Sequence, residues 1–110
     1  MQNVKDKVYE AIKDIAENIT DQYPKNWASF PAIQYCEEDN KVNQWAGNKE
    51  QNSYVRYRFD IWDEVSTSVS ALAIDEKISV LGLKRIQCTD QDDQSGYKHK
   101  IMRYEGIINP

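Results

Sequence analysis

The stretch YVRYRFDIWD, from Tyr54 to Asp63, constrains this chain more than any other. Val55, Tyr57, Phe59 and Ile61 fall on one side of an extended strand, and Arg56, Arg58 and Asp60 on the other. Side chains of a strand point alternately to its two faces, so a period of two sustained over eight residues predicts a strand with one face against a core. The chain must therefore supply something apolar to cover Val55, Tyr57, Phe59 and Ile61.

Two segments qualify as that cover. From Asn3 to about Thr20, Val4, Val8, Ile12, Ile15 and Ile19 recur at the spacing of an amphipathic helix. Ser66, Thr67 and Ser68 then offer oxygens to cap a second helix running to about Leu81, with Gly82 placed for a left-handed C-terminal cap. At 100° per residue, Val69, Leu72, Ala73 and Val80 of this helix lie on one side, and Ala71, Ile74, Ile78 and Leu81 nearly opposite. A surface helix of a monomer needs one apolar face. This helix has two, so a further element or another subunit covers the second.

Three more segments complete the layout. AIQYCE, Ala32 to Glu37, alternates like a short strand, and Leu83 to Thr89 and Tyr97 to Ile108 read as strands around the Asp- and Gly-rich turn DQDDQSG. Asp21 to Pro31 reads as a connection. Glu38 to Asn52, EDNKVNQWAGNKEQN, reads as a long polar loop, too long for a tight hairpin, of the kind that serves a function or is mobile. The expected fold is α+β: an antiparallel sheet of about four strands with two helices packed on it, in the order α-β-β-α-β-β. A length of 110 residues suits a single domain, 1–110.

Chemistry is sparse. His99 is the only histidine, with Lys98 and Lys100 pointing to the opposite face of its strand, and it reads as a polar strand residue. Cys36 and Cys88 stand far apart and read as reduced thiols packed as small hydrophobes; with one histidine and no CxxC they form no zinc motif. The carboxylates at Glu37 to Asp39 and Asp90 to Asp93 lack the spacing of a calcium loop. No glycine-rich phosphate loop is present. No catalytic, cofactor-binding or metal-binding residue is therefore assigned. A net charge of −4 argues against general attraction to nucleic acid or to anionic membranes. No apolar run reaches the roughly 20 residues of a membrane span, and the polar N-terminal stretch lacks a signal-peptide core, so the chain is expected to stay where it is made. One rival survives: Arg56, Arg58, Lys98, Lys100 and Arg103, interleaved with Tyr54, Tyr57, Tyr97 and Tyr104, would suit a nucleic-acid-binding sheet face if those tyrosines were exposed.

A resemblance runs along nearly the whole chain. The N-terminal amphipathic helix, FPAIQYCEEDN, SYVRYRFDIWDEVSTS, LGLKRIQCTD and HKIMRYEGII follow one another in the order and spacing seen in small tail-terminator or tail-completion (head–tail joining) proteins of tailed phages and prophages. The resemblance implies a non-enzymatic virion component: a homo-oligomeric ring, typically a hexamer, at the head-proximal end of the tail. The ring would contact the major tail tube protein and the head connector proteins, with DNA only as passing cargo, and its subunits would wait in the bacterial host cytoplasm before assembly. Other neck and minor tail proteins share this size and layout. In such a ring Val42, Trp45 and Asn48 of the long loop and Ile74 and Ile78 of the second helix are the expected subunit contacts. Trp45 either anchors a neighbour, as interface aromatics do, or folds back over its own sheet.

Overall fold

The computed structural model describes residues 1–110 as an α+β fold with two helices and a five-stranded sheet. The elements are α1 (Lys5–Ile12), β1 (Asn18–Thr20), β2 (Ala32–Ala46), β3 (Lys49–Asp63), α2 (Ser68–Val80), β4 (Lys84–Gln91) and β5 (Lys98–Ile108). Spatial order is β1-β2-β3-β5-β4. β1 pairs parallel with β2 and every other pair is antiparallel, so the sheet is mixed.

The central strand follows its pattern. Val55, Tyr57, Phe59 and Ile61 are fully buried on the helix side, together with Tyr35, Met102 and Tyr104 from the flanking strands. Val4, Val8 and Ile12 of the α1 region and Ala71, Ile74 and Ile78 of α2 close over them. Phe59 meets Tyr104 edge-to-face, with ring centroids 5.7 Å apart. Burial raises the ionisation of both Tyr57 and Tyr104 above the usual tyrosine range, and the Tyr104 hydroxyl donates to Asp75 of α2 at 2.7 Å. That bond ties the second helix to β5. Gly82, at φ +89°, ends α2 in the left-handed conformation a C-cap glycine supplies.

Three expectations are corrected. The first helix stops at Ile12, not near Thr20. Ile15 and Ile19 keep their apolar spacing because they still pack against the core, but Asn18–Thr20 pairs with Ala32–Gln34 as a strand. Asn, Ile and Thr favour helix weakly, and the Asn18 amide is engaged by the carbonyls of Asn26 and Ser29 at 2.7 and 3.1 Å. A parallel neighbour demands a crossover. Residues 21–31 make it as a strap over the sheet face that the helices leave bare.

The largest correction concerns residues 38–52. They are not a loop. β2 and β3 run on as an antiparallel hairpin to the closing pair Ala46↔Lys49, around a two-residue turn of Gly47 (φ 60°) and Asn48 (φ 61°). Two successive left-handed residues make the turn whose twist matches that of paired strands, and Gly-Asn is suited to it. Bulges after Glu37 and around Gln44 absorb the irregular polar pattern that disguised the strand. β5 accompanies β3 only as far as Ser53↔Ile108, so the hairpin beyond that pair projects as a two-stranded arm. The molecule is accordingly elongated, 51 × 23 × 22 Å.

Candidate functional site: exposed contact surfaces and a buried polar end

The arm carries the first surface. Val42 pairs with Ser53 and Trp45 with Glu50, and both apolar side chains are solvent-facing, Trp45 at 61% exposure. Trp45 does not fold back over the sheet. Asn48 is exposed at the tip, where its task is the left-handed turn. The arm is fastened along its length rather than loose. The Asn40 amide donates to the Gln2 carbonyl at 3.1 Å, Glu50 receives the Met1 ammonium, and Asn43 bonds Asn52 across the strands.

The outer side of α2 is the second surface. Ile74 and Ile78, expected to meet a neighbouring subunit, have zero exposure inside this chain's own core. That expectation is corrected: they are the stripe that covers β3. The opposite stripe is the open one, with Val69 at 80%, Leu72 at 72% and Val80 at 82% exposure. The two-stripe pattern marked both faces, and the choice between them turned on which stripe the sheet takes. Ala71, Ile74 and Ile78 stand closer together around the helix than Val69, Leu72 and Val80, which are interrupted by Glu76. The tighter stripe won the core.

The far end of the sheet, away from the arm, holds the polar cluster that strand alternation alone did not reveal. Trp62 and His99 are directly paired across β3 and β5 and stack at 4.5 Å and 12°. His99 is a strand residue of β5, as expected, and at 7% exposure it is buried. Its Nε2 lies 2.7 Å from Asp60 Oδ2, while Arg58 grips the same carboxylate with Nε and Nη2 at 2.7 and 2.9 Å. His99 Nδ1 has no hydrogen-bond partner and lies 3.5 Å from Asp93 Oδ1. Asp93 is held below the ordinary carboxylate range, chiefly by the Ser95 hydroxyl that donates to it. Arg58 and Asp60 thus form a part-buried pair on the face of β3 opposite the core.

The strap explains the burial. Trp27 packs edge-on against Trp62 at 5.7 Å and stacks on Tyr97 at 5.5 Å, and Tyr23 and Phe30 complete an aromatic group over the sheet's second face. Beside it an open groove of about 770 Å³ runs between the entry to α2 (Val65 to Ser68) and the β4–β5 turn (Asp90 to Asp93), with Lys98 and Lys100 along its wall. Its walls mix acids, amines and hydroxyls of both signs. Lys100 there is paired with Asp90 at 2.8 Å.

The basic and aromatic residues of the nucleic-acid reading are largely committed within the subunit. Arg103 reaches Glu38 at 2.9 Å and Gln87 at 2.6 Å, and Arg56 reaches Glu38 at 3.3 Å. Of the five cations in that reading, Arg56, Arg58, Lys100 and Arg103 all face carboxylates. Tyr57 and Tyr104 are core residues, and Tyr97 stacks on Trp27. Cys36 and Cys88 are free; Cys36 is half-buried, but Cys88 is exposed on β4 and so is not packed as a small hydrophobe. No helix is long and apolar enough to cross a membrane.

No family model and no curated protein matches this chain.

Proposed function

We propose that this protein is a non-enzymatic structural subunit of a phage or prophage tail, assembling as a ring that ends the tail tube and joins it to the head. One observation carries the reading. Both the arm, with Trp45, and the outer stripe of α2 present large exposed apolar side chains, and interfaces are where such aromatic and aliphatic anchors belong. The interior is consistent with a scaffold: the sole imidazole is tied at Nε2 to Asp60 and sandwiched against Trp62. The partners in this reading are further copies of the chain, probing the tube protein on one side and the connector on the other, with DNA passing through. The resemblance stated from the sequence supplies the tail assignment.

The test is genetic and structural. Trp45→Ala should leave the melting temperature of the isolated subunit within about 2 °C of wild type, as an exposed substitution does. The same change should abolish tail completion or head joining. Tails imaged by electron microscopy that carry no copy of this protein at the head-proximal end would overturn the assignment.

The competing function is binding of single-stranded nucleic acid through the sheet. It is favoured only by the clustering of Arg56, Arg58 and Arg103, each of which already faces a carboxylate. Changing Arg56 and Arg58 together to Ser is expected to alter retention on single-stranded DNA by less than about twofold at moderate salt. A salt-dependent loss would instead reveal phosphate contacts, because each neutralised phosphate releases counterions.

A further inference from the structure

We propose that His99 is the catch of a proton-controlled latch: in its charged form it joins Asp60 of β3 to Asp93 of the β4–β5 turn, and loss of the proton frees that turn from the end of the sheet. The latch works within one subunit and does not depend on the tail reading.

A neutral imidazole carries one N–H and one lone pair, whereas imidazolium donates from both nitrogens. Both nitrogens of His99 look at carboxylates. Nε2 lies 2.7 Å from Asp60 Oδ2, and Nδ1 lies 3.5 Å from Asp93 Oδ1. In the neutral form one of these carboxylates must face a lone pair. Only the charged form suits both. The side chains are shielded from water, at 6% exposure for His99, 7% for Asp60 and 17% for Asp93, so solvent does not readily replace either contact.

Asp93 is the half that moves. Asp60 is fixed within β3, where Arg58 grips its carboxylate. Asp93 instead belongs to the turn between Gln91, the last residue of β4, and Lys98, the first of β5. Its Oδ2 accepts from the Ser95 amide at 3.0 Å and from the Ser95 hydroxyl, and its carbonyl accepts from the Gly96 amide at 3.1 Å. Oδ1 is left to face the imidazole. Two buried nitrogens here, His99 Nδ1 and Trp62 Nε1, lack a hydrogen-bond partner. After the Ser95 hydroxyl, both Trp62 and His99 help to hold Asp93 below the ordinary carboxylate range. The gap from Nδ1 to Asp93 is about 0.5 Å longer than an ordinary N–H···O bond, so a small inward step of the turn would complete it.

The other charges nearby do not compete for the catch. Lys98 and Lys100 flank His99 on β5 but point to the opposite face, where Lys100 holds Asp90. Across from His99 on β4 stands the neutral Gln91, and the strap presents the rings of Tyr23 and Trp27 to Trp62. Asp93, with its lowered ionisation, stays charged in mild acid. The latch is therefore shut in mild acid and opens as pH rises through the titration of His99. Asp90 to Asp93 also form one wall of the groove that faces the entry to α2, so the latch sets the width of that groove.

The experiment is an NMR titration of the isolated subunit from mild acid to mild alkali. The His99 ring resonances are expected to titrate, and the amides of Asp93, Ser95 and Gly96 should follow with the same midpoint. Asp93→Asn keeps the side chain's shape without its charge; it should lower the His99 midpoint by about 1 unit and leave the remaining turn amides unresponsive. Turn amides that do not move with His99 would overturn the latch. So would a midpoint unchanged in Asp93→Asn, or a His99 that keeps one protonation state throughout. If the variant does not fold, the wild-type titration decides alone, through the shared midpoint or its absence.

Discussion

Truncating Phe59 to Ala is expected to lower the unfolding free energy by about 3–5 kcal/mol, among the largest effects available to a single side chain here. Phe59 has zero exposure at the centre of β3, is paired with Met102, and meets Tyr104 edge-to-face. Removing it withdraws apolar area from the core. It also leaves a cavity that sheet and helices cannot both close, since interiors are packed as tightly as organic crystals. Urea unfolding followed by far-ultraviolet circular dichroism measures the difference. The informative control is Val69→Ala, on the open stripe of α2, which should change stability by less than about 0.5 kcal/mol. Ile78→Ala, on the other side of the same helix, should cost about 2–5 kcal/mol. A Val69 effect equal to that of Ile78 would mean that the outer stripe is already covered in the free subunit, and the docking surface would be lost with it.

Those two stripes also mark how far the sequence could be read. Strand β3 and helix α2 announce themselves because their periods are local: every residue that decides the face lies within the element. The helix cap at Gly82 is local too, and stood where it was expected. What failed to show was whatever depends on a distant partner. β1 is three residues long and exists only because Asn18–Thr20 finds the edge of β2, a parallel pairing that no local pattern announces. The arm did leave a local signal, since Gly47-Asn48 between segments of equal length is a two-residue hairpin turn. The bulges of β2 broke the alternation on one side of it, and the polarity of both strands, exposed on each face, removed the apolar half of the pattern. Trp45 and Val42 are exposed, apolar where nothing local requires it. Ile74 and Ile78 were assigned to the wrong side because periodicity finds both faces of a helix without saying which one the sheet will take. The burial of His99 depends on Trp27, Trp62 and Asp60, which lie 72, 37 and 39 residues before it in the chain. Only folding brings them together.

The polar cluster around Asp60 yields the other large effect. Asp60→Ala is expected to destabilise the subunit by about 3–5 kcal/mol, the range found when one member of a buried ion pair is removed. The Asp60 side chain is 7% exposed and that of His99 is 6%. Both the imidazole Nε2 and two nitrogens of Arg58 converge on this single carboxylate. Once it is gone, His99 remains under Trp62 with no partner at Nε2, and its Nδ1 already lacks one. Arg58 fares better, because its side chain is 34% exposed and can turn towards water. Arg58→Ala should therefore cost only about 1–2 kcal/mol, with solvent screening reducing what the pair contributes. The double variant should fall short of the sum of the two by about 0.5–3 kcal/mol, since both changes remove the same contact. Asp60→Asn keeps an acceptor oxygen in nearly the same shape and should recover part of the loss. If Arg58→Ala proved as costly as Asp60→Ala, the contact with His99 alone would be insufficient to hold the buried carboxylate. The carboxylate, rather than the guanidinium, is the hub here because it is shut away from water while three nitrogens of Arg58 and His99 converge on it.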